Sequence, residues 1–155
     1  MARVLMATLL VLTLSACGAR APAAGRDAIE QVSAAWKAAF NAGDAAAVTA
    51  LYGVDAVLAA PGVPPVRGRA AIGDYFARTL PGFATAGVTV TDEPLGESAT
   101  SGNLGFQWKR YAIVDRSGAV VDRGKLLTLF RRTQGQWQII GDTWNSDLPA
   151  SPPSP

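Results

Sequence analysis

Asp142 is the carboxylate of this sequence with the most chemical promise. It stands between Ile139-Ile140 and Trp144, in a run that reads as a strand. Turned inward, it would be desolvated, its pKa would rise and it would become a usable general base. Turned outward, it would pair with an Arg or Lys of a neighbouring strand. The chain contains no histidine, so a base can come only from Asp, Glu, Lys or Tyr. The usual Ser-His-Asp and Cys-His nucleophiles are closed to it, as are imidazole-ligated zinc and iron sites. No Gly-rich phosphate loop, metal-ligand spacing or nucleophile elbow is present, and no metal or other cofactor is expected.

Trp36, Phe40, Phe76, Trp108, Phe130 and Trp144 are the large apolar groups that could line a ligand pocket or fill a core. Trp36 and Trp144 stand out, because a buried indole N–H needs a polar partner. Charge points elsewhere than nucleic acid. The net charge is +2, and Arg3 belongs to an N-terminal leader, so there is no global basic field. Lys109, Arg110, Arg123, Lys125, Arg131 and Arg132 read as a solvated sheet face whose edge lysines discourage strand addition. Arg67 and Arg69, at the start of a helix, could meet an anionic ligand or simply face solvent.

The lone cysteine, Cys17, follows an uncharged run, Val4–Leu14, and the box Leu14-Ser15-Ala16-Cys17. A basic start, a short apolar segment and small residues are the layout of a secretory signal. The segment falls short of the ~20 apolar residues that span a bilayer. The box resembles the bacterial lipoprotein signal, which implies cleavage after residue 16 and a lipid on Cys17. An ordinary signal cut nearby, leaving a free thiol, and a buried core cysteine are the alternatives. Residues 17–25, small and Pro-containing, read as a flexible tether. The expected location is the bacterial cell envelope, with the lipid anchor in the membrane. Gly18 in place of Asp favours the outer membrane, facing the periplasm, in a double-membraned cell. With a single Cys no intrachain disulfide can form, and packing alone must hold the fold.

About 120 residues between Asp27 and Leu148 are enough for one domain, read as 26–148. Asp27 with Glu30 resembles a capping box, and Ile29, Val32, Trp36, Ala39 and Phe40 follow at helical spacing. Gly43 ends that helix, and Asp44 caps a second one carrying Val48, Leu51 and Tyr52. Residues 55–60 and 66–68 read as short strands. A third helix over 69–80 carries Ile72, Tyr75, Phe76 and Leu80, and Pro81-Gly82 stops it. The period then changes to strands over 87–95, 103–114, 120–133 and 136–146, with turns at Arg116-Ser117-Gly118 and Gln134-Gly135. The result is an α+β domain, three N-terminal helices packed on an antiparallel sheet. Residues 149–155, rich in Pro and Ser, read as a disordered tail.

Three stretches carry a family resemblance. They are Trp36–Asp44, the pair Leu51–Leu58 and Gly68–Ile72, and the pair Arg123–Arg132 and Gly135–Asn145. Their order resembles the nuclear transport factor 2-like fold, in its SnoaL-like and ketosteroid-isomerase-like bacterial branch. The resemblance implies a cone-shaped domain with a pocket between helices and a curved sheet, often a homodimer through the sheet. The isomerases' tyrosine donor falls on Trp36, their aspartate base on Ala60 and their second oxyanion donor near Thr128. The base of that route is therefore missing and both donors have changed. Two readings of function remain, and a third without a ligand. One is a lipid-anchored protein binding a small apolar or amphipathic molecule in its cone. Another is an isomerase, cyclase or dehydratase using Asp142 as base with Trp36 or Thr128 as donor. The third is a homodimeric interaction module with a filled interior.

Overall fold

The computed structural model describes residues 21–148. Signal segment 1–16, Cys17 and tail 149–155 lie outside the described residues. The elements are α1 (Ala21–Asn41), α2 (Ala45–Ala50), β1 (Tyr52–Ala59), β2 (Val66–Arg67), α3 (Arg69–Ala86), β3 (Thr89–Ser101), β4 (Leu104–Val114), β5 (Val120–Thr133) and β6 (Gln136–Ser146).

All three helix readings need a correction at one end. Helix α1 begins at Ala21, inside the segment read as tether, so Asp27 lies within the helix rather than at its cap. Alanine is the best helix former, and a proline near the start forfeits only an N–H that the first turn leaves unused. Helix α2 starts as expected: the Asp44 carboxylate accepts from the Ala47 N–H at 2.8 Å. It stops at Leu51, however, and Tyr52 opens β1 instead of closing the helix. The Ile139 N–H donates to the Leu51 carbonyl at 2.9 Å, so sheet pairing captures the chain at that point. Helix α3 runs through Pro81 and stops only at Gly87, whose φ of 65° suits a residue without a Cβ. Buried Leu80 and core-packed Phe83 anchor it on either side of the proline, and packing outweighs the lost backbone bond.

The strands form one curved sheet in the order β2-β1-β6-β5-β4-β3. From β3 to β6 it is a run of antiparallel hairpins. The turn residues predict those joining β4 to β5 and β5 to β6, whereas β3, read as ending at residue 95, runs on to Ser101 and turns at Gly102, whose φ is 57°. Strand β1 lies parallel to β6, which makes the sheet mixed rather than wholly antiparallel. Turn chemistry specifies pairing only between strands adjacent in sequence. The β1–β6 contact joins segments some eighty residues apart and leaves no local signature. Bulges between Pro94 and Ser98 on β3 and at Ile140 on β6, opposite Leu129-Phe130, interrupt the ladders. Such interruptions bend and twist a strand, here around the helices.

The inner face and the helices enclose a core of Ile29, Phe40, Val48, Tyr52, Leu58, Ile72, Phe76, Leu80, Phe130 and Ile139. Each side chain of this size contributes roughly 1.5–3 kcal/mol on burial. Trp108 is 40% exposed, on the outer face beside Phe106, with Leu127 opposite on β5. Contrary to the reading of it as a pocket-lining residue, it does not face the space between the helices and the sheet, because strand alternation turns it outward while Gln107 and Lys109 turn inward. Lys109 is the other departure. It is buried rather than part of a solvated face, and its ammonium pairs with Glu30 of α1 at 2.7 Å and Asp92 of β3 at 3.2 Å.

Gly124 shows how tightly the inner face closes. A Cβ there would sit 1.9 Å from the Asn145 carbonyl oxygen and 2.8 Å from the Tyr111 ring. Gly124→Ala must push β5 from β6, and should destabilise the fold by about 1–3 kcal/mol, the usual cost of overpacking. Urea unfolding checks this; a variant as stable as the parent would refute the packing described.

Candidate functional site

Between α1, α3 and the sheet lies a cavity of about 110 Å3. Its wall is mainly aromatic and aliphatic: Trp36, Phe40, Tyr75, Phe76, Phe130 and Trp144 all face it. Helical spacing puts Trp36 and Phe40 one turn apart on α1, with stacked rings 4.9 Å between centroids. The Phe76 ring, from α3, lies 6.1 Å from that of Trp36 and nearly perpendicular to it, at 74°. Of the six pocket-lining candidates, only Trp108 is elsewhere.

Asp142 is the buried acid of this cavity. It occupies β6 between two strands, in register with Leu58 of β1 and Thr128 of β5. The Tyr52 hydroxyl donates to Asp142 Oδ2 at 2.7 Å, and the Thr128 hydroxyl reaches Oδ1 at 3.3 Å. The Trp36 Nε1–H in turn donates to the Tyr52 oxygen at 3.0 Å. All three catalytic candidates, Asp142, Trp36 and Thr128, thus meet in one network. Trp36 has a single N–H, and Tyr52 takes it. Within the network Trp36 orients Tyr52.

Burial pushes the Asp142 pKa up to about 6, against the hydrogen bonds from Tyr52, Thr128 and the Thr143 backbone, which favour the carboxylate. Tyr52 is driven well above the ordinary phenol value, first by burial and then by the charge of Asp142, so it stays a donor. Among the described residues, no Lys or Arg forms a salt bridge with Asp142. A carboxylate that titrates near neutrality beside an apolar cavity can accept a proton or hold a donor group.

Tyr52 is the residue that sequence reasoning missed. Its assignment to the end of α2 hid it; Gly53 followed by Val54 and Val57 was the available strand signal. Lys37 and Asp92 were missed too. Both line the cavity, and they pair with each other. Burial pushes Asp92 up, but Lys37 and Lys109 outweigh it and hold the carboxyl below its ordinary value. Beside this pair, Asn41 clips α1 to β3 with two hydrogen bonds to the Val90 backbone, at 2.8 and 2.9 Å. Of the two loop arginines, Arg69 donates to the Tyr52 carbonyl at 2.6 Å, fixing the start of β1, and Arg67 is exposed.

A family model described as the SnoaL-like domain matches residues 32–139. The chain belongs to that family. No curated protein matches it. Among solved structures it is similar to a nuclear transport factor 2-like protein with a cystatin-like fold from Novosphingobium aromaticivorans, with 22% identity, a TM-score of 0.69, and coverage of 77% of this chain and 79% of that one. It is also similar to a ketosteroid isomerase-like protein from Erwinia carotovora atroseptica, with 25% identity, a TM-score of 0.65, and coverage of 79% and 96%. A protein of unknown function from Nostoc punctiforme shares the fold at 16% identity and a TM-score of 0.72, over 81% of this chain and 92% of that one. Asp142 and Trp144 lie just beyond the matched segment, so their roles rest on the geometry.

The raised pKa has a consequence for stability. A native pKa of about 6 against 3.8 means that the folded protein binds the extra proton between those values. The contribution is fully present below pH 3.8 and is lost as pH rises through 6, a swing of roughly 3 kcal/mol. Asp142→Asn removes the titration. Wild type should therefore lose about that much stability relative to the variant between pH 4 and 7. Denaturant unfolding of both proteins across that range checks it; a pH-independent difference would contradict a buried, desolvated Asp142.

Proposed function

We propose that this SnoaL-like domain binds a small, mainly apolar molecule in its cone, with the molecule's one polar group held against Asp142. The observation that carries this reading is a buried carboxylate on the wall of an otherwise aromatic cavity. Ligand sites combine such an apolar wall with a few placed polar groups. The volume of about 110 Å3 has room for a body near the size of a single ring. Ser33, on α1, also lines the cavity. Native mass spectrometry of gently purified protein should find a retained small molecule, and Ser33→Trp, which fills the space, should lose it while keeping the circular dichroism of the parent. An empty cone in both proteins, or equal retention, would overturn the reading.

The same carboxylate supports a second reading, an isomerase- or dehydratase-type enzyme in which Asp142 is the base. What favours it is a pKa of about 6 in a group that lines the cavity. The ketosteroid-isomerase route itself has no counterpart, since Ala60 carries no acid. Asp142→Asn separates the two, because a pure binder has no turnover to lose.

The sequence around Cys17 supports a lipid anchor that holds the domain at the cell envelope, outer membrane in a double-membraned cell. Expressed in a bacterium, the chain should partition with membranes, and Cys17→Ser should release it or leave it uncleaved. Fatty-acid labelling that is equal in the two proteins, or absent from both, would refute the anchor.

A further inference from the structure

We propose that the cone selects a small organic cation, a protonated amine on an apolar body, whose charge pairs with Asp142 while its body lies among the aromatic rings. The inference rests on the cavity reading above and names its ligand class.

Three observations carry it. First, the charges around the cone do not balance at Asp142. Lys37 is tied to Asp92, and Lys109 to both Glu30 and Asp92. Asp142 receives only hydroxyl and backbone donors. A buried ion is stable when an opposite charge meets it, and among the described residues none does. Second, the carboxylate has room for one more donor. Its two oxygens offer about four acceptor positions. The Tyr52 and Thr128 hydroxyls occupy two of them, and the Thr143 backbone also favours the charged form. Asp142 lines the cavity. Third, the wall suits a cation. Trp36, Tyr75 and Trp144 face the space, and the faces of such rings attract ammonium groups, indole most strongly. An anion would meet the uncompensated carboxylate and be repelled. A neutral alcohol could donate a hydrogen bond there but would leave the charge unpaired.

The charged and titratable groups that line the cavity come from five elements. They are Lys37 of α1, Tyr75 of α3, Asp92 of β3, Tyr111 of β4 and Asp142 of β6, with Tyr52 of β1 behind Asp142. Burial raises all three tyrosines, with Asp142 and Asp122 adding to the effect on Tyr52 and Tyr111. Asp92 is held low. Between pH 5 and 7.5, Asp142, at about 6, is therefore the carboxylate of this set that changes charge.

Three single-ring probes that differ in charge provide the test: benzylamine, benzyl alcohol and benzoate. Each is titrated into the full chain at pH 7.5 and followed by tryptophan fluorescence. Benzylamine should bind at least tenfold tighter than benzyl alcohol, and benzoate weakest. Lowering the pH to 5 leaves about a tenth of Asp142 ionised and should weaken benzylamine about tenfold while sparing the alcohol. Asp142→Asn should erase the preference for the amine and keep the alcohol. Equal binding of all three probes, or benzoate binding tightest, would overturn the cation assignment while leaving the cavity reading intact. Binding of none would overturn both. If the Asn variant does not fold, the pH series on the wild type decides.

Discussion

The cone is organised around the cost of burying the carboxylate of Asp142. An ionised carboxyl inside a protein needs hydrogen bonds, each worth roughly 1.5–3 kcal/mol when one partner is charged. Here the donors come from different strands. Tyr52 reaches it from β1 and Thr128 from β5, with Trp36 of α1 fixing the Tyr52 hydroxyl. One polar chain thus ties the first helix, the first strand and the last hairpin together. The parallel β1–β6 pairing places Tyr52 where its ring can reach Asp142, so the sheet's one topological irregularity and its buried acid depend on each other.

A second polar layer holds the opposite wall. Lys109, Asp92, Lys37 and Glu30 join α1 to β3 and β4, and Asn41 adds a backbone clip on the same side. In that layer opposite charges meet; around Asp142 they do not. The cavity between the two layers is therefore electrically asymmetric, with one wall neutralised and the other carrying a single ionisable acid. The family fold allows many uses of such a space, so the site rather than the fold has to carry any functional reading.

Several elements were legible because their signals are local. Asp44 caps α2 and Gly43 ends α1, and the turns at Ser117-Gly118 and Gln134-Gly135 set hairpins whose strands start and stop where alternation says. Helix ends were less legible. Ala-rich residues before Asp27 extend α1, and tertiary packing of Phe83 carries α3 past Pro81. The inward lysine at position 109 was hidden for the same reason, since its partners come from α1 and β3.

By itself, the sequence determined the α+β order, the hairpin half of the sheet, the absence of histidine chemistry and the identity of Asp142 as the acid to watch. Those follow from composition, period and turn residues, each read within a few positions. Only the tertiary structure decided that Asp142 faces inward, that Tyr52 and Thr128 hold it, that Trp36 orients Tyr52 and that Trp108 turns outward. Each of those facts depends on strand register across β1, β4, β5 and β6. Register shifts by one residue exchange the two faces of a strand, and the long-range β1–β6 pairing that sets it is written in no short segment of the chain.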